Sequence, residues 1–585
     1  MKIPNYGSVN SDLVYGVDHM SVMFSASESG GWFIERLVWK DCVVVGDGSR
    51  LLAAGWELNL DGKRFTPHLS GVCARDFQEE RADDGVRYVF PHDLDNLARL
   101  DMEIRIDHER PLLWQRIRIT NTSSRPLLLD RMNFAQIKLT SAFCQAIQTK
   151  THYASRDADS SVAPLGIDDP AFALHDPRLG LGLLVGSLAP GLLRRFSPGM
   201  YVSVGYSNGE VRFEETLLPG ESFESDWAFF LFYDTDPREA SHWLVQRRLR
   251  RRPFVPPLTY CSWVPFLADI NEEKVTTQIE QAGKLGFEVF LIDDGWQNRS
   301  GDWEVHSGKF PNGLEPLAAQ AAENEMQLGL WIGLNTAHQD SKVVHNHPEW
   351  LLRHFDGTPV YTNVGEGRMN LFCLDSGYGD WIQDKIIALV SRYGLRYLKI
   401  DLPMVQDVYF EPPISCHCPS HGHRTPHGYP LRAYRRLQAL CETIRQRFPS
   451  LILDLTFELW GSFHAIDYAL VQCADVTWAA NLVDTPEFPS KAPREARHLI
   501  EARSALFPAV HFLPGNLRCD SFCFRESVDV ALTGYPCMLG DLAKLDTIQQ
   551  DFIRDRFERY KWERRLPEIS NQRIRKGRYH HGELS

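Results

Sequence analysis

The sequence predicts an α/β fold in which a (β/α)8 TIM barrel follows an all-β domain. Three observations carry that prediction. Apolar and polar residues alternate in short runs up to about residue 245, a basic, proline-rich stretch "RRLRRRPFVPP" follows at 247 to 257, and apolar strands then alternate with amphipathic helices.

In the first part, "MEIRID" (102 to 107), "LLWQRIRITNT" (112 to 122) and "RPLLLDRM" (125 to 132) keep the two-residue period of half-buried strands, and turn residues punctuate them. Residues 1–249 are therefore expected to form two packed antiparallel sheets. In the second part, eight strand candidates lie at 258–265, 287–293, 327–334, 396–401, 451–458, 475–481, 509–514 and 537–541. Helical stretches such as "NEEKVTTQIEQAGKLG" (271 to 286) and "PLRAYRRLQALCETIRQRF" (430 to 448) separate them. Eight such repeats fit a closed barrel over 250–566 better than a doubly wound sheet.

Barrels of this kind place their chemistry at the C-terminal ends of the strands. The second candidate ends in "FLIDDGWQ", so Asp293 and Asp294 fall at the mouth, where two neighbouring carboxylates can accept hydrogen bonds from a polyhydroxylated ligand. The fourth ends in "YLKIDLP". The strand period puts Lys399 and Asp401 on one face, and a nearby ammonium favours the ionised aspartate that nucleophilic attack requires. Trp331 ends the third strand and Trp296 follows the second, offering apolar faces that suit sugar rings beside the acids, while Glu458 ends the fifth.

The formal net charge of −13 argues against nucleic acid or an anionic membrane as partner, and 43% hydrophobic with 24% charged residues is ordinary for a soluble globular chain. The start "MKIPNYGSVN" lacks the charged and apolar segments of a secretory signal, no run is long enough to span a bilayer, and twelve scattered cysteines read as reduced thiols. A cytoplasmic location is expected. A homo-oligomer is compatible with this composition.

Together "FLIDDGWQ", "GDWEVHSGKFPNGLEPLA" (301 to 318), "LGLWIG" (328 to 333), "HPEWLL" (347 to 352) and "YLKIDL" (397 to 402) resemble the α-galactosidases of glycoside hydrolase family 36 and the wider melibiase clan, in that order and at similar spacing. The resemblance extends into the first part, where "LLWQRIRITNTSSRPLLLDR" looks like the family's β-supersandwich domain. It implies a retaining α-glycosidase acting on nonreducing-end α-galactosides, with an oligosaccharide or glycoside as substrate and no cofactor required for catalysis. Asp401 matches the nucleophile, Lys399 the sugar-binding lysine, Asp293 and Asp294 the carboxylates that hold sugar hydroxyls, and Trp331 a wall of the pocket. Glu458 resembles a glutamate that some clan members use to hold the sugar 2-hydroxyl.

The sequence departs from the family pattern at four places. In "TWAANLVDTPEFP", Asn481 stands at the acid/base position, and an amide cannot supply a proton, so Asp484, three residues on, is the expected substitute. Without it the chain would be a carbohydrate-binding relative with impaired turnover; transfer of the glycosyl group to a second sugar is a further alternative. Asp475 precedes its strand and is expected at the opposite end of the barrel. The family's glycine-rich stretch is absent near Glu458, which leaves the sugar itself open. The fourth loop carries "ISCHCPSHGHRTPHG", where Cys416, Cys418, His421 and His423 could hold a structural zinc ion. Residues 567–585 form a short charged tail where the family continues into a small β domain.

Overall fold

A computed structural model describes residues 13–17, 20–26, 30–45, 55–69, 71–140, 147–150, 171–176, 178–190, 194–197, 201–206, 212–234, 236–250, 254–364, 367–402, 415–459, 463–465, 468–479, 481, 484, 488, 490–504 and 506–565. The charged tail at 567–585 lies outside this set.

The first part is built from antiparallel sheets. In one, of ten strands, Leu181–Ser187, Ala228–Tyr233, Leu112–Asn121, Ala98–Asp107 and Gly85–Leu94 are neighbours in that order. A second, of six strands, is centred on Leu127–Lys138 and Gly55–Leu60, and a four-stranded meander opens the chain. Alternation explains the packing. Along Ala98–Asp107, Leu100, Met102, Ile104 and Ile106 are buried, and they share a core with Ile117, Ile119, Leu129, Phe134 and Val185.

A helix at Pro237–Leu244 lies between this part and the next and is bonded to both. Ser241 donates to the Leu506 carbonyl at 2.5 Å, His242 to that of Ser504 at 2.8 Å, and the buried guanidinium of Arg250 pairs with Asp475 at 2.6 Å. Breaking a buried pair of this kind typically costs about 3–5 kcal/mol, because the remaining charge is left uncompensated.

Beyond it lie eight parallel strands: β1 (Thr259–Cys261), β2 (Val289–Ile292), β3 (Gln327–Gly333), β4 (Tyr397–Asp401), β5 (Ile452–Leu455), β6 (Thr477–Trp478), β7 (Phe512–Leu513) and β8 (Cys537–Met538). The first five pair in sequence, β8 pairs with β1, and β6 pairs with β7. Single parallel bridges, Asp454 to Val476 and Arg518 to Leu539, carry the pairing across the two remaining gaps. Each expected strand segment contains one of these strands. The observed first strand is shorter than expected because Ser262 leaves the pleat and the chain turns through Trp263–Phe266.

The intervening helices bury the faces that their periodicity foretells. In Glu272–Leu285, Val275, Ile279, Ala282 and Leu285 point inward at helical spacing. Asn271 caps its first turn by accepting from the Lys274 amide at 2.9 Å, worth about 1 kcal/mol, and Gly286 ends it at φ +88°, where a side chain would be strained. After β3, the strands Thr336–His338, Tyr361–Val364 and Gly367–Leu371 form a small antiparallel sheet above the strand ends.

Candidate active site

The site begins where β2 stops. Asp293 is buried, and its Oδ2 accepts from Lys399 Nζ at 3.0 Å and from the Cys261 thiol at 3.2 Å. Its Oδ1 accepts the Asp294 amide at 2.9 Å, and its own amide donates to Ser262 Oγ at 2.9 Å. The second aspartate points elsewhere. Asp294 is half-buried, and its Oδ1 accepts from Gln297 Nε2 at 2.6 Å. The two carboxylates thus avoid repulsion by taking separate partners. Gly295 makes the turn between them and Trp296 at φ +110°, and a Cβ there would lie 2.5 Å from the Ala268 carbonyl oxygen.

β3 and β4 contribute the rest. Parallel register sets Trp331 beside Lys399 and Gly333 beside Asp401. Asp401 is held by both oxygens: Trp331 Nε1 donates to Oδ2 at 3.0 Å and the Leu402 amide donates to Oδ1 at 2.8 Å. Donors of this kind favour the ionised carboxylate. The Lys399 ammonium stands 3.7 Å from Asp401 Oδ2 and 4.1 Å from the centre of the Trp478 ring. Burial opposes the Lys399 charge, but Asp293 and Asp401 outweigh it and hold the ammonium above its ordinary pKa. Asp401 keeps 16% of its side chain exposed, against 2% for Asp293, so it is the acid of the two that a ligand can reach.

One member of this cluster escapes the motif reading. Asp454 on β5 lies beside Lys399 in register and is fully buried. It accepts from Tyr397 Oη at 2.7 Å and Trp478 Nε1 at 3.0 Å, and burial pushes its pKa up to about 7. Gln297 and Trp303 also belong to the site's framework. Trp303 packs edge-on against Trp331 at 5.7 Å between ring centres and tilted against Trp296 at 6.3 Å.

Trp296 corrects an expectation. It is fully buried, with its indole N–H given to the Trp331 carbonyl at 2.8 Å, so it supports Trp331 from behind rather than offering a face to a sugar. Asp475 lies away from the mouth as expected, held by Arg250 and by the Leu453 amide at 3.0 Å. Asn481 is half-buried. Asp484 is half-buried too, and its Oδ1 accepts the Ala492 amide at 3.0 Å in the first turn of the helix Lys491–Arg503. Burial raises its pKa, against the pull of that amide and of Arg518. The Glu458 backbone pairs with His464 in a short hairpin, while its side chain lies outside the described residues.

The Cys/His loop also differs from expectation. The four ligand atoms drawn together, all within 4.8 Å of one another, belong to Cys373, Cys416, His421 and His423. Cys418 is not among them. Its Sγ lies 3.2 Å from Ser420 Oγ, and the second thiol comes instead from Cys373, just past the strand Gly367–Leu371.

A strand-end cluster of carboxylates, one lysine and indoles on a parallel α/β sheet defines a class of pocket suited to polyhydroxylated ligands. Within that class the chain belongs to the melibiase family, whose model matches residues 222–566. It is 27% identical over 363 residues to alpha-galactosidase AgaA of Geobacillus stearothermophilus, covering 60% of this chain and 48% of that protein. It is 28% identical over 283 residues to alpha-galactosidase 2 of Pediococcus pentosaceus, covering 46% and 37%. The chain thus matches half or less of the length of these relatives. The crystal structure of AgaA superposes with a TM-score of 0.72 at 16% identity over 95% of this chain and 87% of the other. That of the alpha-galactosidase from Lactobacillus brevis gives 0.74 at 17% over 96% and 85%. At such identity these two likenesses show the fold alone: an α/β fold with a β-rich N-terminal part. No helix among the described residues is long and apolar enough to cross a membrane.

Proposed function

We propose that the protein is a retaining α-glycosidase of the α-galactosidase type, acting on the nonreducing end of an oligosaccharide at the mouth of a closed (β/α)8 barrel. The cycle of parallel pairings supports the barrel, and family membership supports glycoside hydrolysis. The observation that carries the reading is the state of Asp401: partly exposed at the end of β4, anchored by Trp331 and Leu402, and beside the Lys399 ammonium. An Asp401 oxygen would attack the anomeric carbon as the bond to the leaving oxygen breaks, giving a glycosyl ester. An acid would protonate that leaving oxygen, then as base take a proton from the water that cleaves the ester. Lys399, Asp294 and the Trp331 ring would hold and wall the sugar.

Asp484 is the acid/base in this reading, since burial raises its pKa in the direction a proton donor needs. A second reading rests on the same residues. With an amide at Asn481 and the Asp484 carboxylate engaged by Ala492, the pocket would bind sugar without efficient turnover. A panel of aryl α-glycosides, followed by the anomeric configuration of the product, separates them. Turnover with net retention on an α-galactoside supports hydrolysis, and binding without turnover of any member supports the second.

A further inference from the structure

Cys373, Cys416, His421 and His423 come from two loops that the proposed reaction does not use. Cys373 follows the small sheet inserted after β3, and the other three lie in the segment that returns from the loop after β4. Backbone bonds already join these segments: the His417 amide donates to the Arg353 carbonyl and the Gly422 amide to that of Asp375, both at 2.9 Å. Cys373, Cys416 and His423 are buried.

Three details point to a cation. A tetrahedral ion with metal–sulfur bonds of about 2.3 Å and metal–nitrogen bonds of about 2.0–2.1 Å sets a sulfur and a nitrogen ligand about 3.6 Å apart, and Cys416 Sγ and His421 Nδ1 stand 3.3 Å apart in a cluster whose four ligand atoms all lie within 4.8 Å. His421 Nε2 lies 2.8 Å from the Glu349 carbonyl. A carbonyl only accepts, so Nε2 carries a hydrogen, and in the neutral ring Nδ1 turns its lone pair toward the cluster, the second-shell arrangement common for metal-binding histidines. His423 is 4% exposed, and its Nε2 is a buried nitrogen without a hydrogen-bond partner. Such an atom is costly to bury unless something accepts its lone pair or hydrogen.

We infer that Cys373, Cys416, His421 and His423 form a structural zinc site that fastens the returning end of the loop after β4 to the sheet inserted after β3. Two thiolates neutralise the ion's charge, and four protein ligands leave no open position, the pattern of a structural rather than a catalytic zinc. Because Asp401 ends β4, the tie would anchor the far end of the loop that starts at the proposed nucleophile.

Zinc measured by mass spectrometry on the full chain, purified without chelator or added metal, should come to about one equivalent. Cys373→Ser and His423→Gln should each lose most of it. Cys418→Ser should keep it. Metal-free parent protein, or zinc lost with Cys418→Ser and retained with Cys373→Ser, would overturn the assignment, as would a Cys373–Cys416 disulfide in the native protein. If Cys373→Ser does not fold, the stripped parent decides the matter. Rebinding zinc should shield Cys373 and Cys416 from alkylation but not Cys418, and equal labelling with and without zinc would refute the site.

Discussion

Lys399 and Asp293 form an ion pair at 3.0 Å with side chains 5% and 2% exposed, and it ties the ends of β2 and β4 together beneath the more open Asp401. The pair consumes one carboxylate of the mouth to neutralise the ammonium. Substituting Lys399→Met should leave Asp293 buried and uncompensated, at a cost of about 3–5 kcal/mol in stability. Adding Asp293→Asn to that variant should recover part of the loss, since an amide is cheaper to bury than an unpaired charge. Urea denaturation of the two variants checks this; a double variant no more stable than Lys399→Met would mean that the pair is not a closed electrostatic unit.

The pH dependence should carry the mark of Asp454. Its folded pKa of about 7 lies above the usual carboxylate value because burial disfavours the charge. The folded state therefore binds a proton that the unfolded chain has released, and this contribution to stability is present at low pH and lost as pH rises from about 4 to about 7. Each tenfold difference in proton affinity between the folded and unfolded chain is worth about 1.4 kcal/mol, so the loss amounts to a few kcal/mol. Asp454→Asn, which can still accept from Tyr397 and Trp478, should be favoured relative to the parent at pH 8 more than at pH 4. A parent-to-variant difference that does not change over that range would remove Asp454 from the titrating cluster.

The proton donor can be tested by leaving-group chemistry. Asp484→Ala should slow hydrolysis of a disaccharide by about 10²–10⁴-fold, whereas cleavage of an aryl glycoside to the intermediate should suffer much less, because a nitrophenolate needs no proton. Azide, which needs no base, should restore turnover of the aryl substrate and release an α-glycosyl azide, since it displaces the β-linked Asp401 ester from the face that water would use. Equal rates for parent and variant on both substrates would confine Asp484 to capping the helix at Ala492, with Glu458 the next acid to test.

Much of this was legible because it depends on local pattern. The pleat alone puts Lys399 and Asp401 on one face, and Asn271 and Gly286 mark the ends of a helix at the predicted residues. What escaped depends on contacts between distant segments. Asp454 was visible as a lone acid in the apolar run "LILDLTF", but only the register of β4 against β5 places it beside Lys399. Trp296 and Trp331 both read as indoles at strand ends, and which stands behind which follows from packing after the turn at Gly295. Cys373 carries no motif at all, and it reaches Cys416 through the sheet inserted after β3.

The central claim is that Asp401 forms the covalent intermediate. An α-galactoside with a ring fluorine and an activated leaving group slows breakdown of a glycosyl ester more than its formation, so the ester should accumulate. Peptide mass spectrometry after acid quench should then find one sugar on Asp401, and Asp401→Asn should show neither the adduct nor turnover while keeping the parent's circular dichroism. An adduct on another carboxylate, or undiminished turnover by Asp401→Asn, would contradict the account.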